Sequence, residues 1–463
     1  MLLKLLSYGT YKTPMSYQTP QDYPSLPSVS IPSALLGDDL KSFRGGKSTI
    51  RNLPAASGSS TVENSSILFN IPAEPYGYIK SNSMMIRGKV VVTQTQAANA
   101  VWMFAGQHTG AVLTNATVTH GGGGAASLFS RFTLTLPGGA QVSYGQANHY
   151  RNAVVPHALS AEYFNDLRQM ESAGFVNVAA VGNVAEDKEI WFTTTVDIPC
   201  LNSQQALPLL LMSGGLSLEI ITASVAEAFY TTVAGITGFT LSQLSLIYEV
   251  IQVTPEFKSA LVAAKAQSPY LIHCNDRLQL GPLAVDSTAR LNVGLGLSSM
   301  KGVAFTMMLQ TQLAANLALP KYYTCNGLTN FAMYNNGQLF SCPNMTSDDL
   351  VYAEMQRCLG RINDSNVSSL LVSVVNTTTT NLRNNYSVGQ FLAGCTAETV
   401  DDWSFSSQGV PIDQLAIELT LANTNDANQF QAATANAASN LYVFVFYDSI
   451  LVVNPDGTCQ IRK

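Results

Sequence analysis

The stretch Phe132-Thr-Leu-Thr-Leu-Pro-Gly-Gly-Ala-Gln-Val142 decides how the whole chain is read. Phe132, Leu134 and Leu136 alternate with threonines, so one face is apolar and the other polar, as in a half-buried strand. Leu136-Pro137-Gly138-Gly139 then sets proline second and glycine third in a tight turn, where a positive φ is needed. Ala140-Gln-Val142 starts the return strand. The unit is a β-hairpin.

Outward from it the same period recurs in Leu216-Ser-Leu-Glu-Ile220 and Leu415-Ala-Ile-Glu-Leu419. The run from Leu441 to Val453 is apolar on both faces and rich in Val, Phe and Tyr, which suits a buried strand. Helices are few. Thr254-Pro255-Glu256 opens one with an N-cap, a first-turn proline and an early acid, and Pro269 bounds it. Two more are expected over 161–172 and 347–359. The fold class is all-β with a few short helical inserts.

Sliding the chain against itself gives a repeat. An offset of 199 residues carries Phe132 onto Phe331, Gly138 onto Gly337, Leu216 onto Leu415, Glu219 onto Glu418 and Tyr248 onto Tyr447. Around the last pair the chemistry also agrees, with Glu249, Ile251 and Val253 meeting Asp448, Ile450 and Val452. Gly337 follows Asn336, and Asn-Gly supplies the same reversal that Pro-Gly supplies at Gly138. The expected organisation is an extended arm over 1–60, one β sandwich over 61–253, a helical linker over 254–268 and a second sandwich over 269–463. The arm holds Pro14, Pro20, Pro24, Pro27, Pro32 and Pro54, and proline blocks helix interiors and central strands. Up to residue 51 it has Lys4, Lys12, Lys41, Arg44, Lys47 and Arg51 against Asp22, Asp38 and Asp39, so it is weakly basic.

Composition narrows the function. Of 463 residues, 12% are charged and 46% apolar, with a net charge of −6. The apolar share excludes wholesale disorder, and the negative balance argues against a general nucleic-acid binder. No apolar run is long enough for a membrane-spanning helix. Met1-Leu-Leu-Lys-Leu-Leu6 is too short for the hydrophobic part of a secretory signal. The seven cysteines are odd in number and irregularly spaced, which reads as buried thiols made in a reducing compartment. The Asn-x-Ser/Thr triplets beginning at Asn64, Asn115, Asn344, Asn363, Asn366, Asn376 and Asn385 are then unmodified.

A search for chemistry finds little. Gly45-Gly46-Lys47-Ser48 resembles the end of a phosphate loop, but Lys41 stands where its first glycine belongs. His108, His120, His149, His157 and His273 fall in no ligand spacing, and adjacent His273-Cys274 point to opposite faces of a strand. Ser127 lies near His120 without a nucleophile-elbow motif. The pairs Asp38-Asp39, Asp348-Asp349 and Asp401-Asp402 read as loop or helix-start acids. Trp403 is a candidate surface contact, whereas Tyr248 and Tyr447 read as core. No catalytic residue, metal site or cofactor is expected. The positions singled out are the structural ones: Phe132, Gly138, Glu219, Tyr248, Phe331, Gly337, Glu418 and Tyr447.

Three passages carry a resemblance to a known family. They are the 132–142 hairpin; Ile190-Trp191-Phe192 through Pro199, with Gln204-Gln-Ala-Leu-Pro-Leu-Leu210 and the strand after it; and Tyr447-Asp-Ser-Ile-Leu-Val-Val-Asn454 with Gly457. In that order they resemble the double jelly-roll major capsid proteins of the adenovirus-like, virophage-like, polinton-like and nucleocytoplasmic large DNA viruses. The resemblance implies two tandem eight-stranded jelly rolls. It also implies a homotrimer of pseudo-hexagonal outline that packs against neighbouring capsomers in an icosahedral shell. Minor and vertex capsid proteins are implied partners. The arm would reach an internal membrane or the genome, and the protein would be made inside the host cell and reside in the virion. The alternatives are a secreted tandem β-sandwich that binds or cleaves glycans, or a minor or vertex capsid protein.

Overall fold

The computed structural model describes residues 47–58, 60–94, 102–158 apart from short gaps between 105 and 123, 171, 189–231, 236–285, 289–313, 323–341, 345–359, 391–400 apart from 398, and 407–463 apart from 422–437. The first half has eight principal strands: β1 (Lys47–Pro54), β2 (Ser66–Ile71), β3 (Met85–Gln94), β4 (Phe129–Thr135), β5 (Gln141–Tyr144), β6 (Glu189–Thr195), β7 (Leu216–Thr222) and β8 (Ile236–Gln252). They form two antiparallel sheets, ordered β1-β8-β3-β6 and β5-β4-β7-β2. Apart from the β4–β5 hairpin, each link between successive strands passes from one sheet to the other, which is jelly-roll topology. The alternation seen in sequence is the cause. Phe132, Leu134, Leu218 and Ile220 of one sheet face Ile86, Val90, Phe192 and Tyr248 of the other in a single core.

The second half repeats the plan with β9 (Tyr270–Val285), β10 (Ala289–Leu309), β11 (Leu328–Asn335), β12 (Gln338–Leu339), β13 (Ala393–Thr396), β14 (Val410–Leu421), β15 (Ser439–Val453) and a closing β16 (Cys459–Arg462). One difference stands out. The roles that β2 and β3 divide in the first half fall here to the single strand β10. Its early residues pair with β14, and its later residues pair with β15 and β13. The ladder slips at Gly294/Leu297 and again at Leu297/Met300, with Gly296 at φ +59°. Such irregularities let a strand turn a corner between sheets without breaking. The barrel core holds Phe305, Phe331, Leu415, Ile417, Val443 and Tyr447.

The helices include α1 (Ala147–Ala153), α2 (Pro255–Lys265) and α3 (Asp348–Cys358). In α2 the Thr254 hydroxyl accepts from the Phe257 N–H at 3.3 Å, the cap anticipated from sequence. Its one fully buried residue, Leu261, packs on Tyr78, Ala206, Leu210 and Val253. α3 falls within the helix expected over 347–359. The helix expected over 161–172 lies outside the described residues except for Glu171, as do residues 1–46 of the expected arm. Residues 47–54, also assigned to the arm, form β1, zipped along β8 from Lys47 opposite Gln252 to Pro54 opposite Ser245. Leu53 packs against the first core, which ties this segment to the sheet.

Candidate functional site

The eight repeat positions occupy matching places in the two barrels. Phe132, Thr133 and Leu134 pair with Ile220, Glu219 and Leu218. Phe331, Ala332 and Met333 pair with Leu419, Glu418 and Ile417, each partner again offset by 199 residues. Gly138 and Gly337 head the two hairpins at φ +90° and +83°. Glu219 accepts from the Ser66 hydroxyl at 2.8 Å, while Glu418 bridges Arg290 at 3.0 Å and accepts from the Tyr334 hydroxyl at 3.0 Å. Tyr248 and Tyr447 are both buried on the closing strands. Tyr248 stands opposite Arg51 and Tyr447 opposite Asp276.

The halves meet along a seam that sequence reasoning did not locate. In β9 the inward row Tyr270, Ile272, Cys274 alternates with outward Leu271, His273 and Asn275. With Leu451, Val453 and Cys459, that row enters the core of the first barrel, so one hydrophobic cluster spans both halves. Where the row becomes polar it is fully bonded. Asp276 accepts from Ser449 Oγ at 2.9 Å and from the Arg277 N–H at 2.7 Å. Burial first, then the Asp276 charge, pushes the Tyr447 hydroxyl far above the usual phenol range.

Arg277 carries the polar half of the seam. Its guanidinium lies 3.9 Å from the Tyr150 ring centroid, donates to the Asp197 carbonyl at 2.8 Å and pairs with the Asp197 carboxylate at 3.1 Å. Burial works against the charge, and Asp197, Tyr150 and Tyr144 more than offset it, so the group stays cationic. His149 of α1 crosses the seam as well. It stacks on Tyr442 at 3.9 Å and shares a 3.0 Å hydrogen bond with the Tyr323 hydroxyl. At the far end, the Cys459 N–H donates to the Pro137 carbonyl at 2.8 Å, seating the first hairpin on the last strand. The signal in sequence was Asp276-Arg277, a charged pair inside an otherwise strand-like run.

Beside the seam opens a crevice of about 900 Å³, lined among others by Asp197, Asn202, His273, Lys301, Asp448 and Arg462. Lys301 bonds Asp448 at 2.9 Å and Asn275 at 3.2 Å, which matches its charge locally. Cys200, Cys274 and Cys459 are buried thiols near this region. Burial, then Asp276, pushes Cys274 up to about 12, and burial, then Asp456, pushes Cys459 up to about 11. Both are therefore neutral at pH 7 and poor nucleophiles.

The other sequence candidates are dispersed. His149 and His157 are buried and His273 is exposed on the face opposite Cys274, while His108 and His120 are backbone partners in a short ladder. Ser127 is buried beside Asn152, 3.4 Å away. Asp348-Asp349 open α3. Asp38-Asp39, Gly45-Gly46, Asp401-Asp402 and Trp403 lie outside the described residues. Among the described residues, no cluster of three or more His, Cys, Asp or Glu is placed to hold a metal ion, and no helix is long and apolar enough to cross a membrane.

No protein-family model matches the sequence, and no curated protein matches it. Solved structures do match in fold. PBCV-1 VP54, fitted into a reconstruction of the virophage Sputnik, aligns with TM-score 0.57 at 13% identity over 91% of this chain and 98% of that one. A chain of the PBCV-1 virus capsid aligns with TM-score 0.56 at 13% identity over the same shares. A chain of the Sputnik virophage structure gives 0.53 at 11% identity, covering 96% of this chain and 94% of that one. The shared property is the double jelly roll, spanning nearly the whole of each chain.

Proposed function

We propose that the chain is a major capsid protein, a structural subunit that packs against copies of itself in the icosahedral shell of a double-stranded DNA virus. The observation that carries this reading is the pair of jelly rolls with one strand register, locked by a seam with an apolar core and the bonded Asp276, Arg277 and Asp197 groups. The fold likeness to the PBCV-1 and Sputnik capsid chains supports it. A rigid double barrel offers two similar faces from one chain, so few copies can close a nearly hexagonal ring. A surface of few charges, satisfied by Ser, Thr, Asn and Gln, can be buried against neighbours at small desolvation cost.

The role is non-enzymatic. The fold likeness to structural capsid subunits supports this, and burial holds the Cys274 and Cys459 thiols of the seam neutral. The finer assembly we propose is a homotrimer that then meets neighbouring capsomers and minor and vertex proteins. The N-terminal arm, which up to residue 51 has six basic residues against three acids, would reach with the part preceding β1 to an internal membrane or the genome. Sedimentation of the purified full chain tests the core of this reading. Trimers that resist dilution and assemble further support it; a stable monomer that binds oligosaccharide overturns it.

A further inference from the structure

The seam inside the chain has two different sides, and the duplication supplies each side twice. On the first-half side, Pro137 is buried because the 136–139 hairpin sits on the chain that leaves β15. The Cys459 N–H bonds Pro137, and a Cβ added at Gly138 would meet Thr458 Cβ at 3.0 Å. The second half carries its own copy of that hairpin at 335–339. There Asn336, Gly337, Gln338 and Leu339 are all exposed, and among the described residues nothing lies within 4 Å of a Cβ built on Gly337.

The complementary side is also duplicated. The chain leaving β8, the counterpart of β15, runs into α2, and by the 199-residue offset Lys258, Ser259 and Ala260 fall opposite Gly457, Thr458 and Cys459 in sequence, with a helix here in place of the turn that receives the first hairpin. β1, the counterpart of β9, borders this region as an edge strand, pairing among the described residues with β8 alone. Seven large apolar side chains are exposed among the described residues. Four of them mark these two vacant sides: Leu339 on the hairpin, and Ile50, Tyr76 and Val262 on or beside β1 and α2, with Lys258 Nζ 4.9 Å from the Tyr76 ring. Exposed apolar groups gathered this way mark an association surface.

We infer that the 335–339 hairpin of one copy docks on the α2–β1 face of a second copy, repeating between chains the contact that joins the halves within one. The inference rests on the self-associating reading above and adds which residues meet. The contact is head-to-tail, so each chain offers one hairpin and one receiving face. Single full-length variants test it. Leu339→Asp removes the hairpin anchor and Val262→Asp the receiving one, and both sites are exposed, so far-UV circular dichroism should match wild type. Each variant alone should sediment as a monomer. Mixed in equal amounts, the two should form a one-to-one dimer and no larger species, because one intact hairpin meets one intact face. Folded variants that keep the wild-type oligomer overturn the placement while leaving the capsid reading intact. A wild type that is itself monomeric overturns both.

Discussion

Gly138 and Gly337 hold the same turn geometry in different surroundings, which makes them a controlled comparison. Each needs a positive φ, so alanine at either costs strain of about 1–3 kcal/mol. Only at position 138 must the new methyl also displace Thr458, whose Cβ would be 3.0 Å away. Gly138→Ala should therefore lower the denaturation midpoint by clearly more than Gly337→Ala when the two are compared in urea. Equal losses would mean that the first hairpin is not held against the last strand. Both turns were legible in sequence because their chemistry is local: Pro-Gly in one and Asn-Gly in the other. The Arg277–Asp197 bond was not, since its partners are 80 residues apart and the Asp276-Arg277 pair, though unusual in a strand, does not say which distant group meets it.

At the scale of elements, α2 is a short helix held by one buried side chain. Leu261→Ala should cost about 2–5 kcal/mol, the range for deleting a buried leucine, with the loss read from the denaturation midpoint. Val262→Ala, one residue along on the exposed side, should change monomer stability by no more than about 0.5 kcal/mol. The helix itself could be read in advance from Thr254, Pro255 and Pro269. The fusion of two strands into β10 could not. Gly294 and Gly296 look like loop residues, and the pairing of 289–294 with β14 before them and of 300–309 with β15 after them carries the strand across the bend at Gly296. Tertiary pairing overrode local preference there. The segment 47–54 shows the same effect, since Lys47, Arg51 and Pro54 read as an arm until β8 supplies a partner.

For the whole molecule, the shared hydrophobic cluster and the Arg277 knot couple the barrels into one cooperative unit. Arg277→Met keeps volume and removes charge, leaving Asp197 without its partner, and should cost about 3 kcal/mol by analogy with other buried pairs broken on one side. Arg277→Lys should lose less, because the charge survives while the ring stacking and forked donation do not. Denaturation followed by tryptophan fluorescence checks both, and an unchanged midpoint in Arg277→Met would show that the knot adds nothing to the coupling. The doubled plan was readable because like side chains recur at Phe132, Glu219, Tyr248 and their mates 199 residues on. The seam was hidden because its two sides are unlike each other, so no self-comparison could reveal it.

The uninterrupted Ala289–Leu309 strand has a mechanical corollary. In the first barrel the walls are tied by connecting loops and interdigitated side chains, so shear between them can be relieved by sliding. In the second a covalent backbone bridges the walls, and load applied to one passes straight into the other. Under stress the leading barrel is therefore expected to yield first, with the trailing barrel acting as the brace.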